Sequence, residues 1–190
     1  MLREAAEAVG KAESESHFIG AGHAHSSHAV RTQLEAGAGV GEAARAVAAL
    51  ESAATNSQKE EAARALGNLA VSTDNQVAIA RAGAIAPLVA LLSGSGTDGV
   101  KEAAAWALAN LAGNADNQVA IARAGAIAPL VALLSGGGTD GVKEAAARAL
   151  RNLACNADNK VAIARAGAIA PLKQMKSRGS DAAKSLLTLF

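Results

Sequence analysis

Residues 124–134 read AGAIAPLVALL, and the same eleven residues stand at 82–92. A third copy starts at residue 166, where AGAIAPL runs on into KQM. The step between copies is 42 residues, and Asn68, Asn110 and Asn152 keep the same step. Residues 74–114 and 116–156 differ at only four places: Ser95/Gly137, Trp106/Arg148, Ala109/Arg151 and Gly113/Cys155. A fixed period of this length marks a stacked repeat, in which no unit closes a core alone and neighbours supply the missing half.

Within the unit the quoted stretch separates two helices. DNQVAIARA predicts a short first helix, with Asn114 or Asp116 as its cap and Gly125 suited to the left-handed position after its end. Pro129 then fits the first turn of a second helix, IAPLVALLS, which leaves the first at a sharp angle. Its Ile127, Leu130, Val131, Leu133 and Leu134 leave almost no polar face, so this helix is expected to be buried. After the GGGTDG loop, with Asp140 as the expected cap, VKEAAARALRNLA predicts a third helix. Val142, Ala145, Ala146, Ala149, Leu150 and Leu153 form its apolar stripe at i, i+3, i+4, i+7 spacing.

At this point the units resemble armadillo repeats. The AGA turn at Ala124-Gly125-Ala126, Pro129, Leu133-Leu134 and, one unit earlier, the WALAN of Trp106 to Asn110 match that family's pattern over roughly residues 30–175. The resemblance implies an all-α, right-handed α-solenoid with three helices per 42-residue unit. Units are expected at about 30–72, 73–114, 115–156 and 157–190, the last a shortened cap. Residues 1–29 read as an irregular or disordered segment with a short helix.

Composition excludes several functions. Of 190 residues 51% are hydrophobic and only 2% aromatic, with no Tyr, so the core must be built from Ala, Leu, Val and Ile. Lys plus Arg (18) nearly balance Asp plus Glu (17), which gives no global field for nucleic acid or an anionic membrane. The N-terminus has no apolar secretory core. No run approaches the roughly 18 apolar residues of a membrane span. The lone Cys155 excludes an internal disulfide and a Cys-based zinc site, and suits cytosol or nucleus.

His17, His23, His25 and His28 could touch a transition metal, but they lie in a segment with no partners to fix their rings, so no metal site is expected. The GSGTDG and GGGTDG loops lack the following Lys-Ser/Thr of a phosphate loop. Arg81, Arg123 and Arg165 each fall in the last turn of a first helix, where a cation complements the helix dipole. No catalytic constellation and no cofactor is expected.

What remains is the polar stripe of the third helices: Arg64 and Asn68; Glu102, Trp106 and Asn110; Glu144, Arg148, Arg151 and Asn152. Steps of three and four keep these residues on one face. The family resemblance implies that this face lines a concave groove, that each Asn bonds the backbone of an extended peptide, and that Trp packs beside the peptide's side chains. A plainer role for the Asn, holding adjacent helices together, is set aside because Ala would pack there more simply. Glu144 with Arg148 is expected as an i, i+4 pair. Arg148, Arg151, Lys173 and Lys176 make the C-terminal half of the groove mildly basic, so an acidic peptide is the expected partner. A monomer is expected, and the apolar end at Leu186, Leu187, Leu189 and Phe190 leaves end-to-end self-association open. The alternatives are a structural piece of a longer array and an import adaptor resembling importin-α.

Overall fold

The computed structural model describes residues 41–190, which lie within one compact unit. The expectations for residues 1–29, including the histidines, and for the start of the first unit at about residue 30 fall outside the described residues. Eleven helices and no strand occur among the described residues. The incomplete first unit contributes α1 (41–52) and α2 (Asn56–Leu69). The second contributes α3 (Thr73–Arg81), α4 (Ile85–Ser93) and α5 (Asp98–Leu111). The third contributes α6 (Ala115–Arg123), α7 (Ile127–Ser135) and α8 (Asp140–Leu153). The last contributes α9 (Ala157–Arg165), α10 (Ile169–Ser177) and a short α11 (Asp181–Leu187).

The AGA turn does what its residues require. Gly83, Gly125 and Gly167 take φ of +90°, +83° and +86°. The following alanine N–H reaches back five residues, Ala126 to the Ile121 carbonyl at 3.3 Å, which closes the helix end in a left-handed cap. The chain then turns through 83° between α3 and α4 and 80° between α6 and α7. Proline occupies the first turn of α4, α7 and α10, where no intrahelical N–H bond is lost.

Capping follows the sequence with one correction. Asn114 Oδ1 accepts from the Asp116 and Asn117 N–H groups at 3.0 and 3.1 Å. The cap of α8 is Thr139, whose hydroxyl accepts from Val142 N–H, while Asp140 is the first helical residue. Asp140 still sits where a carboxylate favours the helix N-terminus.

The core is aliphatic throughout. Leu66, Leu108 and Leu150, one per third helix, are fully buried, as are Ile79, Ile121 and Ile163 from the first helices. The predicted stripe of α8 is buried at every position, and Ala147 joins it. Alanine dominates the seams: Ala103, Ala104, Ala105, Ala107 and Ala109 of α5 are all buried, so α2, α5 and α8 can pack closely side by side. In α7 the burial is one-sided: Leu130, Val131 and Leu134 are buried while Ile127 and Leu133 are only half covered. Leu186 belongs to the core and Leu187 and Leu189 pack against it, leaving Phe190 as the exposed part of the apolar end. No single described helix is long and apolar enough to cross a membrane.

Candidate functional site

The seam between neighbouring third helices is held by the repeated asparagine. Asn110 Nδ2 donates to the Gly67 carbonyl at 3.0 Å and Asn152 Nδ2 to the Ala109 carbonyl at 2.8 Å. Each bond ties a third helix to the one before it. This corrects the sequence-based dismissal of a packing role, since Ala has no donor for that carbonyl. A primary amide carries two N–H donors and an acceptor oxygen, so each half-exposed Asn keeps an N–H and its Oδ1 for another partner. Asn68 is exposed.

Trp106 is the second seam element. A Cβ at Gly67 would collide with Cε3 and Cζ3 of its ring, so the indole lies directly on the α2 backbone at the glycine of its last turn. It is half-buried, and with Arg64, Asn68, Glu102 and Ala103 it lines a cleft of about 310 Å³ between α2 and α5. Trp106 is therefore a wedge in the seam as well as an apolar shelf.

The glutamates are used across units. The Glu60 carboxylate lies against Gly99 in the first turn of α5, and Glu102 lies in the same way against Gly141 in the first turn of α8. Partial positive charge at a helix N-terminus favours both placements. Glu60 also pairs with Arg64 at 3.0 Å. The expected Glu144–Arg148 pair is not formed within 4.0 Å. Instead Glu144, Arg148, Arg151 and Asn152 line a larger cleft of about 830 Å³, closed on its far side by Met175 and the turn Arg178 to Ala182. Lys173 and Lys176 lie outside this lining, on α10, and Lys143 and Arg178 are its further cations.

A family model described as the Armadillo/beta-catenin-like repeat matches residues 72–113 and 114–155. Residues 72–155 are armadillo repeats. The all-helical fold of the described residues is that of an armadillo solenoid and is similar to designed armadillo repeat proteins. A designed armadillo repeat protein solved with the peptide (KR)4 is 30% identical, with a TM-score of 0.71 over 79% of this chain and 64% of that one. Computationally designed armadillo proteins for modular peptide recognition give 29% identity and a TM-score of 0.70, covering 84% of this chain and 66% of the other. An engineered protein of the Northeast Structural Genomics Consortium gives 32% and 0.71, covering 77% and 62%. The chain thus spans less than two thirds of each of these structures. A search of curated protein sequences returned no match.

The armadillo units carry a second polar ladder that the sequence analysis missed. Gln76, Asn117, Gln118 and Asn159 are buried. Asn117 Nδ2 donates to two carbonyls of the preceding unit, those of Leu111 at the end of α5 and Gln76 in α3, at 3.0 and 3.1 Å. Asn159 Nδ2 donates to the Gln118 carbonyl at 3.0 Å, and Gln118 Nε2 to that of Ala112. The signal was present in the 42-residue step of DNQ, DNQ and DNK at 74, 116 and 158. Arg81, Arg123 and Arg165 are exposed in the last turns of α3, α6 and α9, where the helix dipole favours a cation. Cys155 is an exposed free thiol.

Proposed function

We propose that this armadillo protein is a non-enzymatic interaction module that binds an extended peptide segment of a partner along its third helices. One observation carries this reading: Asn110 and Asn152 are anchored in the same register on successive helices with amide groups still available, and Asn68 and Asn152 of the same series each line a surface cleft. Such a ladder offers one donor and one acceptor per unit to a peptide backbone and is indifferent to its sequence. The clefts on either side supply side-chain preference. With helices about 10 Å apart and an extended chain rising about 3.3 Å per residue, three third helices accommodate roughly nine residues.

The preferred peptide is acidic opposite α8. Arg148 and Arg151 are exposed, and the Asp181 carboxylate at the rim is engaged by Lys184 at 2.9 Å. That hydrogen bond and the ammonium charge hold the Asp181 carboxyl below the usual carboxylate range. The test is an unbiased peptide screen with the wild-type chain and with Trp106→Ala/Asn110→Ala, with circular dichroism confirming that the variant stays folded. Acidic binders retained by the wild type and lost from the variant are the expected result. Equal retention by both sinks the groove reading, and enrichment of (KR)4-like peptides sinks the acidic preference alone.

A further inference from the structure

The cleft beside α8 differs from the corresponding seams in the other units, and the difference has a structural origin. The third helices α2, α5 and α8 each have 14 residues, whereas α11 has seven. A full-length neighbour covers the C-terminal half of α2 and α5: Gly67 lies beneath Trp106, and Ala109, whose carbonyl holds Asn152, is fully buried. Because α11 stops at Leu187, the equivalent position on α8 is open, and there the residue is Arg151, exposed. Arg148 lies one turn away on the same face.

The local charges also differ. In the first unit Arg64 is paired with Glu60, and in the second the cation is replaced by Trp106. Glu60 and Glu102 fold over Gly99 and Gly141 of the next helix, but the residue corresponding to these glycines in α11 is Ala182. Among the described residues neither Arg148 nor Arg151 has a carboxylate within 4.0 Å. The carboxylates that line the cleft are Asp140, Glu144 and Asp181. Asp181 is held by Lys184. Along α8, at about 1.5 Å per residue, Asp140 lies about 16 Å and Glu144 about 10 Å from Arg151, while Glu144 lies about 6 Å from Arg148, so Arg151 is the cation less neutralised by its own helix.

We infer that this cleft is a phosphate-recognising subsite, taking the phosphorylated side chain of a bound peptide through the guanidinium groups of Arg148 and Arg151. A guanidinium presents a planar fork of donors that matches phosphate oxygens, and two forks at i, i+3 can share one dianion. The half-exposed Asn152 amide at the same rim can hold the peptide backbone next to it. This inference rests on the groove reading above and adds the chemical class, and a switch, to its C-terminal end.

The test uses two arrayed libraries of peptides of roughly nine residues, identical except for a fixed central phosphoserine or serine. Wild-type protein should retain the phosphoserine library at least about tenfold better, and the ratio should fall to about one in Arg148→Ala/Arg151→Ala. Equal retention of both libraries by the wild type, with both lost in Trp106→Ala, overturns the phosphate subsite and leaves the groove reading standing. A phosphoserine preference that survives in Arg148→Ala/Arg151→Ala also overturns it, because the attraction would then be diffuse. If neither library is retained the groove reading fails, and titration of the full chain with inorganic phosphate decides the subsite. Amide shifts confined to residues 148–152 sustain it, and their absence overturns it.

Discussion

At Gly67 no side chain fits unless the Trp106 ring moves. Glycine inside a helix is disfavoured by up to about 1 kcal/mol relative to alanine, so its presence in the last turn of α2 needs a cause, and the Trp106 ring against its Cα is that cause. Gly67→Ala should therefore lower stability, because overpacking costs about 1–3 kcal/mol and outweighs the gain in helix propensity. In the Trp106→Ala background the same substitution should raise stability by up to about 1 kcal/mol. Urea unfolding followed by circular dichroism reads both signs; if the two backgrounds give the same sign, the ring does not dictate the glycine. The wild-type Trp106 emission should also shift in Gly67→Ala, since the indole must leave its seat. The face that carries Trp106, Asn110, Arg148 and Asn152 was legible from helical spacing. The Gly67–Trp106 contact was not, because it joins residues 39 apart in sequence and depends on how closely two third helices pack. Its trace lies in the paired slots: 64, 106 and 148 read Arg, Trp, Arg while 67, 109 and 151 read Gly, Ala, Arg, and the largest residue follows the smallest.

Helix order and approximate limits could be read from the AGA turn, the proline and the apolar periods, because each of these acts within a few residues. The exact start of α8 could not. Thr139 and Asp140 are both good capping residues, and a boundary uncertain by one position cannot choose between them. The structure assigns the cap to Thr139, with its hydroxyl on Val142 N–H, and gives Asp98 of the preceding unit the Thr139 N–H at 2.9 Å. Thr139→Ala should thus destabilise the protein by about 1 kcal/mol. Asp140→Ala should remove only a helix-dipole interaction of a few tenths of a kcal/mol. Thermal melts of the two variants side by side check this, and a larger loss from Asp140→Ala would return the cap to the aspartate. The buried Asn and Gln ladder of α3, α6 and α9 escaped notice for a related reason. Its donors reach carbonyls six residues back and one unit away, and a short polar run at a helix start reads as exposed until the neighbouring unit covers it.

Across the whole molecule, stability in a stacked array is close to a sum of units and their nearest-neighbour seams, so an added unit should help only if both new seams are sound. The near identity of residues 74–114 and 116–156 suggests that either could be copied freely, but the seam positions say otherwise. A second copy of residues 115–156 placed between Asn114 and Ala115 would bring Arg151 of the copy to the position where Ala109 is fully buried beneath the next helix. An unpaired buried cation there costs on the order of 3–5 kcal/mol. The same insertion with Arg151→Ala in the copy restores the alanine under the next helix and leaves residues 116–156 of the copy different from residues 74–114 only at Gly137, Arg148 and Cys155. It should raise the denaturation midpoint and steepen the transition, since the slope scales with the surface exposed on unfolding. The unmodified copy should have the lower midpoint of the two, and the pair of urea curves measures the difference directly. Equal midpoints would mean that Arg151 escapes the seam and that order along the array is not encoded by the small residues of positions 67 and 109.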